Sequence, residues 1–164
     1  KMIDALESKS KFLCVNAQIN AGNKGYNLIT KYNGASYYCL DISEARMAVH
    51  DKYISNEEIL DLLFSKTRGK NITVTMGAQG SLSRKRNNTS YHMPAISNIA
   101  VDTIGAGDAY YILSSLFLYL SKSIELSALA GNVVGAIKIG IPGLSKKITK
   151  NNFINTLKTF LKTE

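Results

Sequence analysis

A short glycine-containing segment in the second half of the chain has the residue types needed for phosphate chemistry. Residues 101–108 read Val-Asp-Thr-Ile-Gly-Ala-Gly-Asp and lead directly into a helical apolar pattern over residues 109–120. Gly105 and Gly107 allow backbone amides to approach a ligand, and a helix that begins there adds partial positive charge. Asp108 would repel a bound anion, but it could accept a proton from a hydroxyl that attacks a phosphoryl group. The segment predicts phosphoryl transfer; a turn that only starts a helix is the alternative.

A second turn follows an apolar run over residues 72–75. It reads Thr75-Met76-Gly77-Ala78-Gln79-Gly80. Open α/β sheets bind ligands at the carboxyl ends of their strands, so this turn is a candidate ligand site. A tight reversal of the chain would require the same glycines, and both interpretations stay open on this evidence.

The elements that must position these segments alternate between strands and helices. Short apolar runs at residues 12–15, 37–40 and 72–75 indicate buried parallel strands. A capping box of Ser55 and Glu58 predicts a helix between them, with Ile59, Leu62 and Leu63 on its apolar face. The alternation predicts a parallel sheet flanked by helices, and residues 81–86 and 90–96 around a polar turn predict a β-hairpin.

Three helices are expected after the hairpin. The apolar stripe of the first comprises Ala109, Ile112, Leu113, Leu116, Phe117 and Leu120. The stripe of the second comprises Leu126, Leu129, Ala130, Val133, Val134 and Ile137. The third follows Pro142-Gly143, has Thr149 as a candidate cap, and presents Phe153, Ile154, Leu157, Phe160 and Leu161. No linker interrupts the 164 residues, which favours one domain.

The net charge of +8 comes from scattered Lys and Arg residues. The densest group, Arg84 to Arg86, lacks interleaved aromatic residues, so we expect a solvated hairpin and no nucleic-acid partner. Cys14 and Cys39 lie in apolar runs without metal-ligand spacing and are predicted to be buried free thiols. The sequence shows no signal peptide or transmembrane stretch, which favours a reducing, cytoplasmic setting without a membrane partner.

The pattern Asp-Thr-X-Gly-Ala-Gly-Asp at residues 102–108 resembles the signature of the ribokinase-like, or PfkB, carbohydrate kinase family. The turn over residues 75–80 lies upstream of it, in the order found in that family. The resemblance implies an α/β fold, a ribokinase-like three-layer α/β/α sandwich with a mostly parallel sheet plus a β-hairpin. Lys1 is not preceded by an initiator Met, so we expect residues 1–164 to be the C-terminal ATP-binding portion of such a kinase, without the sugar-binding and lid portion.

The resemblance also implies roles for particular residues. Asp108 would be the general base, and the amides of Gly105, Ala106 and Gly107 would stabilise the transferring phosphoryl group. The ATP-binding residues would be Thr75, Gly77, Gly80, Thr103 and Asn132, with Asn132 bordering the adenine pocket.

Asp41 and Glu44 occupy the positions where the family usually has Asn and a Glu that helps to hold magnesium. Either Asp41 adds charge that strengthens cation binding, or Asp41 only caps the helix that reaches Val49 and Glu44 alone serves the metal.

An amide-rich segment over residues 16–27 resembles the branch of the family related to bifunctional heptose kinase and nucleotidyltransferase proteins. On that resemblance Gln18, Asn20, Asn23 and Lys24 would face phosphate or substrate. Ordinary loop chemistry is the alternative.

The function implied is an ATP-dependent carbohydrate kinase that acts on a sugar or sugar phosphate with magnesium. The isolated portion would bind nucleotide and phosphorylate little. A homodimer of the complete protein and a fused nucleotidyltransferase domain are compatible with this resemblance. A non-catalytic nucleotide-binding module or pseudokinase, and a structural domain, remain alternatives.

Overall fold

The computed structural model describes residues 2–18, 22, 25–97, 99–143 and 145–162. Its helices are α1 Met2–Lys9, α2 Ile42–Val49, α3 Asn56–Lys66, α4 Ala106–Ser121, α5 Ile124–Ile139 and α6 Lys150–Phe160. Its strands are β1 Cys14–Val15, β2 Tyr37–Asp41, β3 Asn71–Thr75, β4 Ser81–Lys85 and β5 Tyr91–Met93. Within these ranges, no helix has the length and apolar character needed to cross a membrane.

The five strands form one sheet in the order β1-β2-β3-β4-β5. Strands β1, β2 and β3 are parallel, as predicted, with Val15 opposite Tyr38 and Tyr38 opposite Ile72. Residues 76–80 and 86–90 join β3 to β4 and β4 to β5. Such short connections only allow antiparallel neighbours, which confirms the predicted hairpin, although β5 is shorter than predicted.

Contacts between Cα atoms divide the chain into two compact units. The first unit comprises Lys1–Met76 and Leu82–Tyr91, and the second comprises Gly77–Ser81 and His92–Glu164. The organisation of residues 1–164 as one domain stays a prediction.

The core of the first unit is built from the apolar runs of β2 and β3 and from helix α3. Four of the five positions of β2 are buried. Helix α3 buries Ile59, Leu60, Leu63 and Phe64. The predicted face was therefore wrong at Leu62, whose exposed fraction is 37%. Leu60 and Phe64, four residues apart, complete the buried stripe instead.

The basic group at the end of β4, Arg84 to Arg86, is not the solvated charge run that we expected. Arg84 donates to Asp61 at 2.5 Å and lies over the Phe64 ring. Arg86 donates to the carbonyl oxygens of Phe64, Thr67 and Gly69. Arg86 thus satisfies carbonyl groups at and beyond the end of α3, which a helix leaves without intrahelical partners.

In the second unit, α4 buries a different stripe from the one predicted. Its buried residues are Tyr110, Ser114 and Leu118. The predicted Ile112, Leu116 and Leu120 have exposed fractions of 63%, 48% and 68%. A Cβ atom on Gly131 of α5 would lie 2.5 Å from the Tyr110 ring. The close approach of that ring to α5 requires glycine, and it places the Tyr110 stripe in the core.

Helix α5 contains the predicted apolar stripe, and α6 begins directly after the predicted cap. Helix α5 buries Val133 and Val134 as predicted, whereas Leu126 has an exposed fraction of 48%. Thr149 caps α6, which confirms that expectation. The Phe153 ring of α6 lies 5.7 Å from that of Phe117. This aromatic contact joins α6 to α4.

Candidate functional site

The start of α4 differs from the starts of α2, α3, α5 and α6. Its N-cap is Gly105, in the left-handed region with φ of 75°, and no side chain caps the helix. The residues that cap α2, α3, α5 and α6 with their side chains are Asp41, Ser55, Ser123 and Thr149. A helix leaves its first N–H groups without intrahelical acceptors. At α4 the N-cap Gly105 has no side chain that could take their place, so this helix start suits an external anion.

Two of the amides expected in the anion site differ in what they can bind. The N–H of Ala106 donates to Thr103 O at 3.1 Å, which closes the turn before α4. That hydrogen bond removes Ala106 from the amides best suited to a ligand. Gly107 lies in the first turn of the helix, and a Cβ atom there would meet no atom within 4 Å. The space over Gly107 is open to an incoming group.

Asp108 is exposed and belongs to the first turn of α4. It follows the N-cap Gly105 by three residues, and solvent or a ligand can reach its exposed side chain. A base in this position can accept a proton from a hydroxyl bound at the helix start.

The turn that leads into α4 is held by the carboxylate of Asp102. Asp102 accepts hydrogen bonds from the backbone N–H of Ile104 at 2.9 Å and of Gly143 at 2.7 Å. These bonds to Ile104 and Gly143, with the charge of Lys138, hold the pKa of Asp102 below its ordinary value. The Asp102 carboxylate therefore joins the turn before α4 to the loop at Gly143, both in the second unit.

The turn over residues 77–81 requires glycine at its end. Gly80 has φ of 84°, and a Cβ atom there would lie 2.0 Å from Met93 O. Gly77 also has a positive φ of 57°, but a Cβ atom there would meet nothing within 4 Å. Gly80 is thus needed for the tight reversal, while Gly77 leaves open space above the backbone.

Asn132 is buried and already hydrogen-bonded. Its Nδ2 donates to Ser81 Oγ at 2.8 Å and to Ala128 O at 3.0 Å, and Tyr110 Oη donates to the same Ser81 Oγ at 2.9 Å. The Asn132 amide nitrogen thus binds the turn over residues 77–81, and Tyr110 binds that turn to α4. No local pattern of the sequence points to Ser81 or Tyr110, whose mutual hydrogen bond joins residues 29 positions apart.

Asp41, Glu44 and Thr75 lie together in the first unit. Asp41 pairs with Thr75 in the register of β2 and β3. Asp41 Oδ1 accepts from the N–H of Ser43, and Glu44 Oε2 accepts from the N–H of Asp41, so the two carboxylates form a capping box. Thr75 Oγ1 donates to Leu40 O at 3.2 Å. Asp41 therefore caps α2, and whether it also contributes charge to a cation site stays a prediction.

The donor set at this strand edge fits magnesium. Mg²⁺ is usually bound through one or two carboxylates together with substrate phosphates. Each carboxylate of the capping box has two oxygen atoms, and Asp41 is exposed. In the described ranges, His, Cys, Asp and Glu residues form no cluster of three that could hold a metal without further ligands.

A cavity of about 450 Å³ lies in the second unit, among the loop at Ile96 and helices α5 and α6. Ala136 and Ile137 contribute one wall and Phe160 another. Ala136 lies one helical turn after Asn132, in the run of small residues on α5. The cavity is large enough for part of a nucleotide.

The remaining candidates are less informative. Gln18 is exposed, and Asn20, Asn23 and Lys24 lie outside the described residues. Cys14 and Cys39 are free thiols, but Cys14 is only partly buried. Burial raises the pKa of the Cys39 thiol to about 12, so this cysteine is not a nucleophile at neutral pH.

Comparison with known proteins identifies the class. Residues 2–151 match the pfkB family carbohydrate kinase family, and the chain belongs to it. It is 30% identical over 118 residues to the bifunctional protein HldE of Haemophilus influenzae, an alignment that covers 70% of this chain and 25% of that protein.

Solved structures confirm the ribokinase-like fold. The ribokinase of Arabidopsis thaliana, complexed with ribose and ATP, gives a TM-score of 0.80 at 14% identity over 95% of this chain and 50% of that one. The fructokinase of Vibrio cholerae, bound to fructose, ADP and a calcium ion, gives 0.81 at 17% identity over 94% and 53%. The chain thus spans about half the length of these solved kinases and a quarter of HldE.

Proposed function

We propose that this chain is the nucleotide-binding portion of an ATP-dependent carbohydrate kinase. The observation that carries the proposal is the start of α4, where Gly105 leaves the first amides without a side-chain cap and Asp108 is exposed beside them. In a chain of the PfkB family, an uncapped helix start with an adjacent carboxylate suits transfer of a phosphoryl group to a hydroxyl.

In the proposed mechanism, a carboxylate accepts a proton and neighbouring backbone amides stabilise negative charge. The acceptor hydroxyl loses its proton to the Asp108 carboxylate while its oxygen forms a bond to the γ-phosphorus of ATP. The bond from that phosphorus to the leaving oxygen breaks, and ADP departs with the electron pair. Amides of Gly105, Gly107 and Asp108 stabilise the negative charge on the transferring group. Ala106 contributes less, because its N–H is held by Thr103.

Asp41 and Glu44 would hold magnesium, with Thr75 beside them at the strand edge. When bound, Mg²⁺ neutralises charge on the phosphates of the nucleotide. We propose Gly77, Gly80 and Thr103 as further groups facing the nucleotide. Gly77 supports this assignment through its open backbone, and Gly80 through the turn that it makes possible.

The base of the nucleotide would occupy the cavity beside Ala136. Ala136 would contact the base in place of Asn132, because the amide nitrogen of Asn132 already donates to Ser81 and Ala128. Asn132 would then border the base site by fixing α5 to the turn over residues 77–81.

The acceptor would be a sugar or a sugar phosphate. The ribokinase and fructokinase structures contain ribose and fructose, and HldE is bifunctional, so a second activity in the complete protein is part of the proposal. Since the chain spans half of the solved kinases, we propose that it binds ATP by itself and needs further residues for rapid sugar phosphorylation.

Calorimetric titration with ATP and magnesium chloride tests the proposal. We expect saturable binding to this chain, and a rise in its melting temperature through mass action. Absence of both would favour a structural domain. A non-catalytic module would bind ATP, yet the complete protein would transfer no phosphoryl group to any member of a panel of hexoses, pentoses and heptose phosphates.

A further inference from the structure

Lys138 is a buried cation in the last turn of α5. Its exposed fraction is 7%, although lysine is almost never fully buried unless a partner compensates its charge. Neither the motif at residues 101–108 nor the apolar pattern of α5 predicted a role for it. The hydrogen bonds around Lys138 link its charge to the turn before α4.

The contacts of Lys138 lead to the turn before α4. Its Nζ donates to Gly143 O at 3.0 Å, and the N–H of Gly143 donates to Asp102 Oδ2 at 2.7 Å. Asp102 Oδ1 in turn accepts from the N–H of Ile104 at 2.9 Å. Lys138 is therefore connected by hydrogen bonds to the residue that precedes Gly105.

The stem of Lys138 also lies against the helix start directly. A Cβ atom built on Gly105 would be 3.5 Å from Lys138 Cε. The backbone of Val101 and of Asp102 donates to Ile139 O, the next residue of α5, at 2.7 and 3.0 Å. The end of α5 and the turn before α4 thus form one hydrogen-bonded assembly with a cation inside it.

The position of this cation matters because Asp108 places a negative charge beside the proposed phosphate site. Asp102 offsets part of the Lys138 charge through their electrostatic interaction. A charge held in a partly buried position is screened less than one in water, so it acts on an anion several ångströms away.

We propose that Lys138 is a positioning residue for phosphate binding, which fixes the turn over residues 102–105 and places a positive charge near the terminal phosphate of ATP. This inference rests on the proposed function. The hydrogen bond to Gly143 supplies the fixing, and the ammonium charge supplies the preference for the more highly charged nucleotide.

Two variants separate charge from structure. Lys138→Met removes both the charge and the hydrogen-bond donor, whereas Lys138→Gln removes the charge and keeps an N–H donor on a slightly shorter side chain. Lys158→Met is the matched control, because Lys158 also lies in the last turn of a helix, α6, and is exposed. Calorimetry gives the dissociation constants for ATP and ADP at constant magnesium chloride, and thermal melts report folding.

We expect ATP affinity to fall about tenfold in Lys138→Gln and at least as much in Lys138→Met, with ADP affinity falling less than about threefold in Lys138→Gln, because the effect of a fixed charge grows with the charge of its ligand. The control should match the wild type. Equal losses for ATP and ADP, recovery of ATP binding by Lys138→Gln, or unfolding of both variants would each overturn the inference. If the wild type bound no ATP, the proposed function itself would fail, whereas wild-type binding with unchanged variants would refute only the role of Lys138.

Discussion

Helices α2 and α4 both begin with an acidic residue in the first turn, and they use it in opposite ways. At α2, Glu44 accepts from the N–H of Asp41 while Asp41 accepts from the N–H of Ser43. The helix start is satisfied by its own side chains. At α4, Gly105 offers no side chain, and Asp108 stays exposed.

The difference separates a helix start that stabilises the fold from one that is available to a ligand. A cap satisfies amides at the cost of blocking them, and a glycine N-cap leaves the same amides open. Helices α3, α5 and α6 follow the first pattern. Substitutions at capped and uncapped starts should therefore affect different measurements.

The largest effect is expected at Asp108. In the complete protein, Asp108→Asn should lower phosphoryl transfer about a hundredfold to ten-thousandfold, because the amide cannot accept the hydroxyl proton. ATP binding should change little. The measurement is a radiometric transfer assay together with calorimetry. The matched control is Glu125→Gln in the first turn of the capped helix α5, which should keep full activity. Activity of Asp108→Asn within a few-fold of the wild type would refute the assignment of Asp108 as the general base.

A smaller effect is expected at Gly107, where a substitution should raise the stability of the chain and lower its affinity for ATP. Since a Cβ atom there meets no protein atom, Gly107→Ala should stabilise the unliganded chain by up to about 1 kcal/mol, as alanine does in helices. The added methyl group would occupy the approach to the amides, and ATP affinity should fall about tenfold, which is 1.4 kcal/mol. Denaturant unfolding and calorimetry measure the two quantities. An unchanged ATP affinity would mean that no ligand approaches this backbone.

A substitution at a capped helix start should change the stability of the chain and leave its ATP affinity unchanged. Ser55 Oγ accepts from the N–H of Glu58 at 3.2 Å and donates to the Glu58 carboxylate at 2.7 Å. Ser55→Ala should lower the free energy of unfolding by about 1 kcal/mol and leave ATP binding unchanged. Urea denaturation with and without ATP gives both results. A loss of ATP affinity in a folded Ser55→Ala variant would break the distinction between the two kinds of helix start.

The smallest effect concerns pH. The pKa of Asp102 in the folded chain is lowered by the N–H groups of Ile104 and Gly143. A lowered folded pKa gives stability that is present above the unfolded pKa of about 3.9 and is lost as pH falls through the folded value. Asp102→Asn should therefore be less stable than the wild type at pH 7, and the difference should shrink as pH falls below about 4. Urea denaturation at a series of pH values measures it; a difference independent of pH would show that the carboxylate charge is not involved.

Glu58 provides the comparison at a capped start. Hydrogen bonds from the Ser55 side chain and backbone lower its pKa. In Ser55→Ala the pKa of Glu58 should rise toward its ordinary value, as an NMR titration would show. That rise would show that the Ser55 hydroxyl lowers the pKa of Glu58, whereas backbone N–H groups lower the pKa of Asp102 beside the start of α4.

Local patterns of the sequence predicted much of the fold. The strands at residues 37–40 and 72–75 and the helix starts at Ser55 and Thr149 follow from short-range rules, and the structure contains them at those positions. Capping boxes and apolar runs act between neighbours in the chain, which is why they can be read without a tertiary structure.

The sequence alone also predicted that residues 101–108 form a turn and a helix start suited to phosphate. Glycine spacing and an acidic residue at a helix start are local features, so no tertiary structure is needed to recognise them. Tertiary structure decided which face of α4 is buried, because Tyr110 packs where Gly131 of α5 leaves room for its ring. It also decided that Arg86 binds the end of α3, and that Lys138 lies buried beside Gly105. These outcomes depend on residues far apart in sequence, whose contacts no local pattern encodes.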